Sequence, residues 1–515
     1  MEEKKSPIKN ISSIEGNTAE LFEAEAMADQ ELEENNDIPT DTSFFGHPKQ
    51  MATLFGVETW ERFSYYGLQG IVLLYMYYTV SQGGLGMSQA AATSIVGAYG
   101  GGSYLAAVAN SWIADRLLGR ERVLFISAIM VMCGHLTLAL GSGVSGLALG
   151  IFLIAYGAGG VKSCSTSIVG SLYPKGDVRL NSGFALYYLG VNLGGLIGPL
   201  LTGWLQTSYG FHYGFGIAAF GMAIGLTQYA INRKHLPKSA NTVTNPLADE
   251  ERKKFYMGLA GIILFFVIAF ATRIITIDDA SNVVIVLAII AAVVLYSTII
   301  RSPKVNDEER SRVYASIPLV VSQVGFWSLY QQQFTVLTIY ADQRLNRHIG
   351  NWEMPVAWVQ SINPVYIILL SGFFAGLWAK WKGQPRTSAK FGWANIFIGL
   401  AYFMFLPFAN GGPNSAPILL IAAILFVFTI GEMFISPTGL AVSTQLAPKA
   451  FITQFVAIFF LASAIGTSAA GSIAGFYNPN NEVPYFTTLG IASIILGGII
   501  FALNPWINKR MKGVL

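Results

Sequence analysis

Charged residues are scarce in this 515-residue chain. Asp, Glu, Lys and Arg together make up 12% of it, against about a quarter in soluble proteins. Cys133 and Cys164 are the only cysteines, and their separate apolar segments exclude a disulfide framework and a cysteine metal site. No nucleophile with its base, metal-ligand cluster or phosphate-binding loop is recognisable. We therefore expect neither an enzyme nor a cofactor, and the net charge of +3 gives no reason to expect a nucleic-acid partner.

Apolar residues dominate instead, at 53% of the chain with a mean hydropathy of +0.50. A membrane-spanning helix needs about 20 mainly apolar residues, and about fourteen such runs follow residue 50. Two of them, at residues 255–271 and 283–300, contain almost no polar side chains and are expected to face lipid. The segment that precedes the first of the fourteen runs is acidic and has no apolar run of its own. This composition is typical of a disordered tail and argues against a cleavable signal peptide. We predict an all-α polytopic membrane protein.

The runs fall into groups of six, two and six. The predicted domains are a disordered acidic cytoplasmic tail at 1–50, a six-helix bundle at 51–232, cytoplasmic linkers with two additional transmembrane helices at 233–312, and a second six-helix bundle at 313–515. With the tail in the cytoplasm, the opposite loops carry only Arg273, Arg344 and Arg347 as basic residues. The positive-inside rule then places both termini in the cytoplasm. Fourteen transmembrane helices in two pseudo-symmetric halves are the plan of the major facilitator fold, whose substrate site lies between the halves near the bilayer midplane.

The first apolar run contains three ionisable residues, Glu58, Glu61 and Arg62. A charge at membrane depth persists only where it faces protein or a watered cavity and finds partners, so it indicates a functional site. Spacings of three and four residues place all three side chains on one helix face. In the simplest structural interpretation, Arg62 neutralises one carboxylate and fixes helix packing. The second carboxylate favours a functional one, because it adds a proton-binding site that a simple pair does not need.

The sequence motifs resemble those of the proton-dependent oligopeptide transporter (POT/PTR) family, a branch of the major facilitator superfamily. Residues 58–67 resemble its first-helix motif ExxERFxYYG, and residues 187–194 resemble its FYxxINxG element. Residues 115–120 resemble a loop motif of the superfamily, and the extra helix pair is typical of prokaryotic members. The resemblance covers nearly the whole chain after the tail. It implies a proton-coupled symporter that imports di- and tripeptides across the cell (cytoplasmic) membrane by alternating access, with the proton as coupling ion.

The family pattern also gives roles to Lys162 in the fourth segment and Glu432 in the tenth. An unpaired charge at either position is energetically unfavourable in a membrane. We therefore expect the two side chains to face one cavity from opposite halves and to pair when no substrate is bound. The peptide carboxylate is expected at Lys162 and Arg62, and the ammonium at Glu432. The expected substrate-binding residues are Arg62, Tyr65, Tyr66, Tyr99, Tyr104, Lys162, Asn192, Trp327, Asn363, Glu432 and Phe459. The expected proton-coupling residues are Glu58, Glu61, Arg62 and Glu432.

Two positions depart from the family pattern together. Gln69 and Gln331 stand where family members commonly have an arginine and a glutamate that close the outer gate. Loss of both charges can be nearly neutral, whereas loss of one strands a buried charge. We predict either a hydrogen bond between Gln69 and Gln331 in place of the ion pair or a shifted substrate preference. We expect Lys162 and Glu432 to take part in gating as well.

Other functions remain open at this stage. The expected partners are di- and tripeptides, peptide-like drugs and the lipid bilayer, and the chain is expected to work as a monomer. The alternatives are a transporter of another zwitterionic or anionic solute, or a peptide-binding nutrient sensor. Lys162 and Glu432 together favour a ligand that carries both a carboxylate and an amine.

Overall fold

The computed structural model describes residues 39, 41–174 and 177–513. Residues 1–38 and 40 of the predicted tail therefore lie outside the described residues, and the first helix begins at Lys49, within the predicted bounds of the tail. Within the described residues the chain folds into fifteen α-helices. In chain order they are α1 Lys49–Tyr77, α2 Gln89–Ile113, α3 Arg120–Leu140, α4 Gly143–Ser171, α5 Arg179–Tyr209, α6 Phe211–Asn232, α7 Asp249–Ala271, α8 Ala280–Arg301, α9 Asp307–Tyr330, α10 Val336–Gln343, α11 Ile362–Lys380, α12 Thr387–Phe403, α13 Ile418–Gln445, α14 Ile452–Ala474 and α15 Val483–Met511. The short 3₁₀ turn Gln331–Phe334 joins α9 and α10 into one span, which gives fourteen spans.

The predicted fold class is confirmed, and the helices extend beyond the apolar runs. The run at 255–271, for example, is part of α7, which begins six residues earlier with Asp249, Glu250 and Glu251 in its first turn. Negative side chains there are stabilised by the helix dipole, which a search for apolar runs does not see. Eleven helical segments of the described chain are long and apolar enough to cross a membrane on length and composition alone. The span of α1 is not among them, because it carries Glu58, Glu61 and Arg62.

Each half is a bundle, and the halves meet along two seams. In the first half α1 packs against α5 and α6, and α4 packs against α2 and α3. In the second half α12 packs against α13 and α15, and α9 packs against α14 and α15. The seams are formed by α2 with α14 and by α5 with α11. The inserted helix α8 packs against both α2 and α14, so it covers the first seam from the lipid side.

Short strands and a buried ion pair organise the loops at the end where α1 finishes. The strand β1 Leu345–Asn346 pairs in parallel with β4 Ala416–Pro417, and β2 His348–Ile349 is antiparallel to β3 Trp352–Glu353. Arg344 Nε lies 3.4 Å from Glu482 Oε1, and Glu482 also accepts a hydrogen bond from the backbone N–H of Asn410 at 2.7 Å. A charge as buried as Glu482 persists only when it is paired and hydrogen-bonded, and the cluster therefore holds three loops of the second half together.

The loop between α2 and α3 carries the superfamily-like motif and binds the linker that follows α6. The backbone N–H of Asn245 donates to Asp115 O at 2.9 Å, and Arg120 donates to Ser239 O. Gly119 has φ +85°, and a Cβ atom there would lie 2.6 Å from Asn241 O. Glycine is thus required both by its backbone conformation and by the close approach of the linker.

Candidate functional site

The ionisable residues of α1 form a buried cluster. Glu58, Glu61 and Arg62 are 2%, 0% and 5% exposed. Arg62 Nε donates to Glu58 Oε1 at 3.0 Å and lies 2.7 Å from Glu61 Oε2. Its single hydrogen is directed at Glu58, so both oxygens of Glu61 are buried without a hydrogen-bond partner. The cluster thus contains one hydrogen-bonded ion pair and one carboxyl group that is held only by electrostatic attraction.

Glu58 belongs to a network that joins three helices. Its second oxygen, Oε2, accepts a hydrogen bond from Ser165 Oγ on α4 at 2.9 Å. Ser165 Oγ lies 2.6 Å from the hydroxyl of Tyr187 on α5. Sequence reasoning did not assign a role to either residue, although Tyr187 opens the fifth-helix motif and Ser165 follows Lys162 by three positions. Ser165 could have been predicted from the sequence, because its hydroxyl lies one helical turn from the intramembrane charge of Lys162.

The fifth-helix motif brings α5 against the cluster through its glycines. A Cβ atom at Gly194 would lie 2.7 Å from Phe63 N and 2.8 Å from the Cβ of Arg62. One at Gly190 would lie 2.7 Å from Thr59 Oγ1. Small residues let membrane helices approach closely, so these glycines set the distance between α5 and the charged face of α1. Asn192 of the same motif donates to Tyr188 O of its own helix at 2.8 Å.

Lys162 projects from α4 toward the second half. Its Nζ lies 3.7 Å from the ring centre of Tyr104 on α2 and 5.9 Å from that of Phe460 on α14. A cation over an aromatic face is attracted by the ring quadrupole, and more strongly where water is excluded. In the described chain Lys162 forms no ion pair within 4 Å, so its ammonium is held by rings and is open to an incoming anion.

Glu432 on α13 is the centre of a polar group in the second half. It accepts a hydrogen bond from the hydroxyl of Tyr330, the last residue of α9. The Tyr330 oxygen also lies 3.1 Å from Asn363 Oδ1 on α11, and Asn363 Nδ2 donates to Thr429 Oγ1 at 2.9 Å. The structure therefore joins Glu432 to Asn363 through Tyr330, which sequence reasoning missed. The expected pair of Lys162 with Glu432 is not formed, because each group has other partners.

Aromatic side chains connect the two polar groups. Tyr65 and Tyr99 stack with ring centres 4.9 Å apart, and Tyr66 stacks on Phe334 of the second half at 6.1 Å. Trp327 packs edge to face on Tyr330 at 5.2 Å. The hydroxyl of Tyr99 and the indole nitrogen of Trp327 are buried without a hydrogen-bond partner in the described structure.

A cavity of about 150 Å³ opens beside these rings. Three expected substrate-binding residues line it, Tyr104, Trp327 and Phe459. Arg62, Lys162 and Glu432 are not part of its lining, but Lys162 contacts the cavity wall through Tyr104, and Glu432 through Tyr330 and Trp327.

The predicted hydrogen bond between Gln69 and Gln331 is not formed. Gln69 Oε1 is buried without a partner, and its amide nitrogen faces α2, 3.7 Å from the position that a Cβ at Gly100 would occupy. Gln331 lies where α9 ends and the 3₁₀ turn begins. No hydrogen bond joins the two side chains in the described structure, so the predicted pair is wrong for this conformation.

Among the residues that the structure describes, no group of three or more His, Cys, Asp or Glu side chains could hold a metal ion.

Comparison with known proteins gives consistent similarities. The POT family profile (PTR2) matches residues 121–489. The uncharacterised transporter YclF of Bacillus subtilis is 38% identical over 476 residues, which cover 92% of this chain and 96% of that protein. The di-/tripeptide transporter of Lactococcus lactis subsp. cremoris is 35% identical over 92% of this chain and 99% of its own length.

Solved structures share the fold over the same extent. A mutant of a peptide transporter POT in complex with alafosfalin superposes with a TM-score of 0.87 at 38% identity, covering 93% of this chain and 98% of that one. A POT family transporter in complex with 5-aminolevulinic acid gives a TM-score of 0.86 at 35% identity, covering 92% and 99%.

Proposed function

Because the chain belongs to the POT family of transporters, we propose that it is a proton-coupled symporter that imports di- and tripeptides across the cytoplasmic membrane by alternating access. The family consists of transporters and not enzymes. The observation that carries the proposal is the separation of opposite charges across the seam between the halves. Arg62 and Lys162 lie in the first half, and Glu432 lies in the second, with the aromatic cavity beside them.

This separation fits both ends of a short peptide. A peptide carboxylate is attracted to the ammonium of Lys162, which has no acidic partner to displace, and to the guanidinium of Arg62, whose Nη2 is buried without a hydrogen bond. The peptide ammonium replaces the Tyr330 hydroxyl at Glu432 or joins it. Charge-assisted hydrogen bonds at both ends are the strong contacts, whereas the rings of Tyr104, Trp327 and Phe459 accept varied side chains by shape.

Glu61 is the proposed proton carrier. A buried carboxylate that accepts no hydrogen bond is costly, and a bound proton removes its charge. Neutral Glu61 leaves Arg62 with Glu58 as its only counter-charge, so Arg62 then attracts the substrate carboxylate more strongly. Glu432 changes its environment when the ammonium binds, and it is the proposed second site of coupling.

The orientation, domain boundaries and assembly belong to the same proposal. Both termini lie in the cytoplasm, because most of the basic loops lie on their side. The acidic tail ends near residue 50, and the bundles occupy 51–232 and 313–515 with the inserted pair between them. One chain supplies both halves of the site, which supports function as a monomer without a cofactor.

A solute other than a peptide is the second candidate. One relative of known structure binds 5-aminolevulinic acid and another binds alafosfalin. Both similarities extend over more than nine-tenths of this chain. A zwitterion with a carboxylate and an amine at a suitable distance therefore meets the same charges as a dipeptide.

Uptake of a labelled dipeptide by proteoliposomes tests the proposal. Under an imposed pH gradient and membrane potential, we expect accumulation above equilibrium in wild type and its loss in Lys162→Ala and Glu432→Ala. Lys382→Ala is the matched control, because this exposed lysine lies in the loop between α11 and α12. Accumulation of 5-aminolevulinic acid with no uptake of any dipeptide would favour the second candidate. Uptake that is the same with and without the pH gradient and the membrane potential would contradict proton coupling.

A further inference from the structure

A carboxylate of the second half accepts hydrogen bonds from two tyrosines of the first. Asp342 lies on α10, and Tyr77 and Tyr78 lie at the end of α1. The Tyr78 hydroxyl donates to Asp342 Oδ1 at 2.6 Å, and the Tyr77 hydroxyl donates to Asp342 Oδ2. Each carboxylate oxygen therefore has one donor, and both donors cross the seam.

The chain around Tyr77 and Tyr78 is built to hold them in place. After α1 the backbone turns back, and the N–H groups of Leu85 and Met87 donate to the carbonyls of Tyr75 and Met76 at 2.8 Å. At Gly84 a Cβ atom would collide with the carbonyl oxygen of Tyr78. The last turn of α1 is thus fixed by its own loop and not by the second half.

Asp342 is equally fixed on the other side. It lies on the eight-residue helix α10, which the 3₁₀ turn separates from α9. The charged groups near it are Arg347 and Glu353, and these pair with each other at 2.6 Å. In the described structure Asp342 has no cation within ion-pair distance, so its hydrogen-bond donors are two neutral hydroxyls.

We propose that Asp342, Tyr77 and Tyr78 form the outer gate of the transport cycle, a group that we call the carboxylate clasp. The inference rests on the proposed transport function and on the assignment of this end of the molecule to the outside. Gln69 and Gln331 do not bond to each other, so the clasp supplies the polar contact between the halves that those positions lack. Opening requires Asp342 to exchange two hydroxyls for water, and no buried ion pair has to be separated.

Distance measurement between the outer ends of the halves tests the clasp. Spin labels are placed at Ser81→Cys in the loop after α1 and at Asn351→Cys in the loop between β2 and β3, both exposed. Cys133→Ser removes the exposed native cysteine, and Cys164 is buried. In proteoliposomes we expect Asp342→Asn and the double variant Tyr77→Phe, Tyr78→Phe to raise the population with the longer distance at least threefold.

Asp278→Asn is the matched control, since Asp278 lies exposed on the same side and accepts its hydrogen bond through its carbonyl. An unchanged distance distribution in both clasp variants would overturn the inference, as would an equal change in Asp278→Asn. The distances need no substrate, so they are independent of dipeptide uptake. If the wild-type protein does not take up dipeptides, the proposed function is contradicted. Longer spin-label distances in the clasp variants would still support the gate in that case.

Discussion

Glu58 and Glu61 share Arg62 but differ in what else surrounds them. Glu58 has a donor on each oxygen, Arg62 Nε and Ser165 Oγ. Glu61 has none, although it is fully buried. Protonation of Glu58 would weaken two charge-assisted hydrogen bonds, whereas protonation of Glu61 breaks none. This difference supports the proposal that Glu58 positions Arg62 and that Glu61, which is paired with Arg62 but accepts no hydrogen bond, exchanges the proton.

The first prediction follows from this difference. Glu61→Gln keeps the shape of the side chain but removes its ability to carry a proton. We expect proton-driven accumulation of dipeptide to fall to the equilibrium level, while exchange of external for internal dipeptide continues. One net charge moved across 100 mV supplies about 2.3 kcal/mol, or roughly a 40-fold concentration ratio, so the loss is large enough to measure in proteoliposomes.

Glu58→Gln is the comparison for that experiment. It disturbs the hydrogen bonds to Arg62 and Ser165, so both exchange and accumulation should decline. Uphill uptake at the wild-type level in Glu61→Gln would contradict the assignment of the proton to Glu61.

The ionisable residues of the site were predictable from the sequence, but their partners were not. A Glu, Arg or Lys inside an apolar run stands out in composition alone, as Glu58, Lys162 and Glu432 did. Which hydroxyl meets a carboxylate depends on how each helix is rotated and where it crosses its neighbour. Tyr330 at Glu432 could therefore not be foreseen, and the hydrogen bond expected between Gln69 and Gln331 failed for the same reason.

At the scale of elements, the inserted helix α8 is tied to both halves. Ser281 Oγ donates to Ser94 O on α2 at 2.6 Å, and Ser472 Oγ on α14 donates to Asn282 Oδ1 at 2.9 Å. The three helices meet at Gly97, where a Cβ atom would lie 2.5 Å from Ser281 Oγ and 2.7 Å from Gly471 Cα. The sequence predicted α8 as a lipid-facing helix, but its few small polar residues, which make this junction, gave no sign of their partners.

The second prediction concerns this junction. Gly97→Ala should force α2 away from α14 and α8 and destabilise the closed outer side by about 1 to 3 kcal/mol, the usual cost of overpacking. We expect a lower thermal unfolding midpoint in detergent and slower dipeptide uptake. Gly102→Ala on the same helix is the control, because no atom lies within 4 Å of a Cβ there. Equal stability of the two variants would show that the junction can relax at no cost.

At the scale of the whole molecule, the contacts between the halves are concentrated at one end. The hydrogen bonds that join the described parts of the two bundles lie toward the end where α1 finishes. They include the clasp at Asp342, Gln89 to Tyr477 O at 2.9 Å, and Trp358 to Leu200 O at 2.9 Å. The opposite end has no such bond between the described residues of the bundles. With the proposed orientation, these hydrogen bonds hold the halves together on the outer side in this conformation.

The proposed orientation gives the last prediction. Two of the three basic residues on the proposed outer side are neutralised by carboxylates, Arg344 by Glu482 and Arg347 by Glu353. The positive-inside rule counts Lys and Arg and not net charge, so the proposed orientation rests on the small number of basic residues in these loops and not on their pairing. In the Cys133→Ser background, an impermeant maleimide should label Ser81→Cys in intact cells, whereas Lys382→Cys should react only after permeabilisation. Labelling of Lys382→Cys in intact cells, with Ser81→Cys reacting only after permeabilisation, would show the opposite orientation. The carboxylate clasp would then be a cytoplasmic gate.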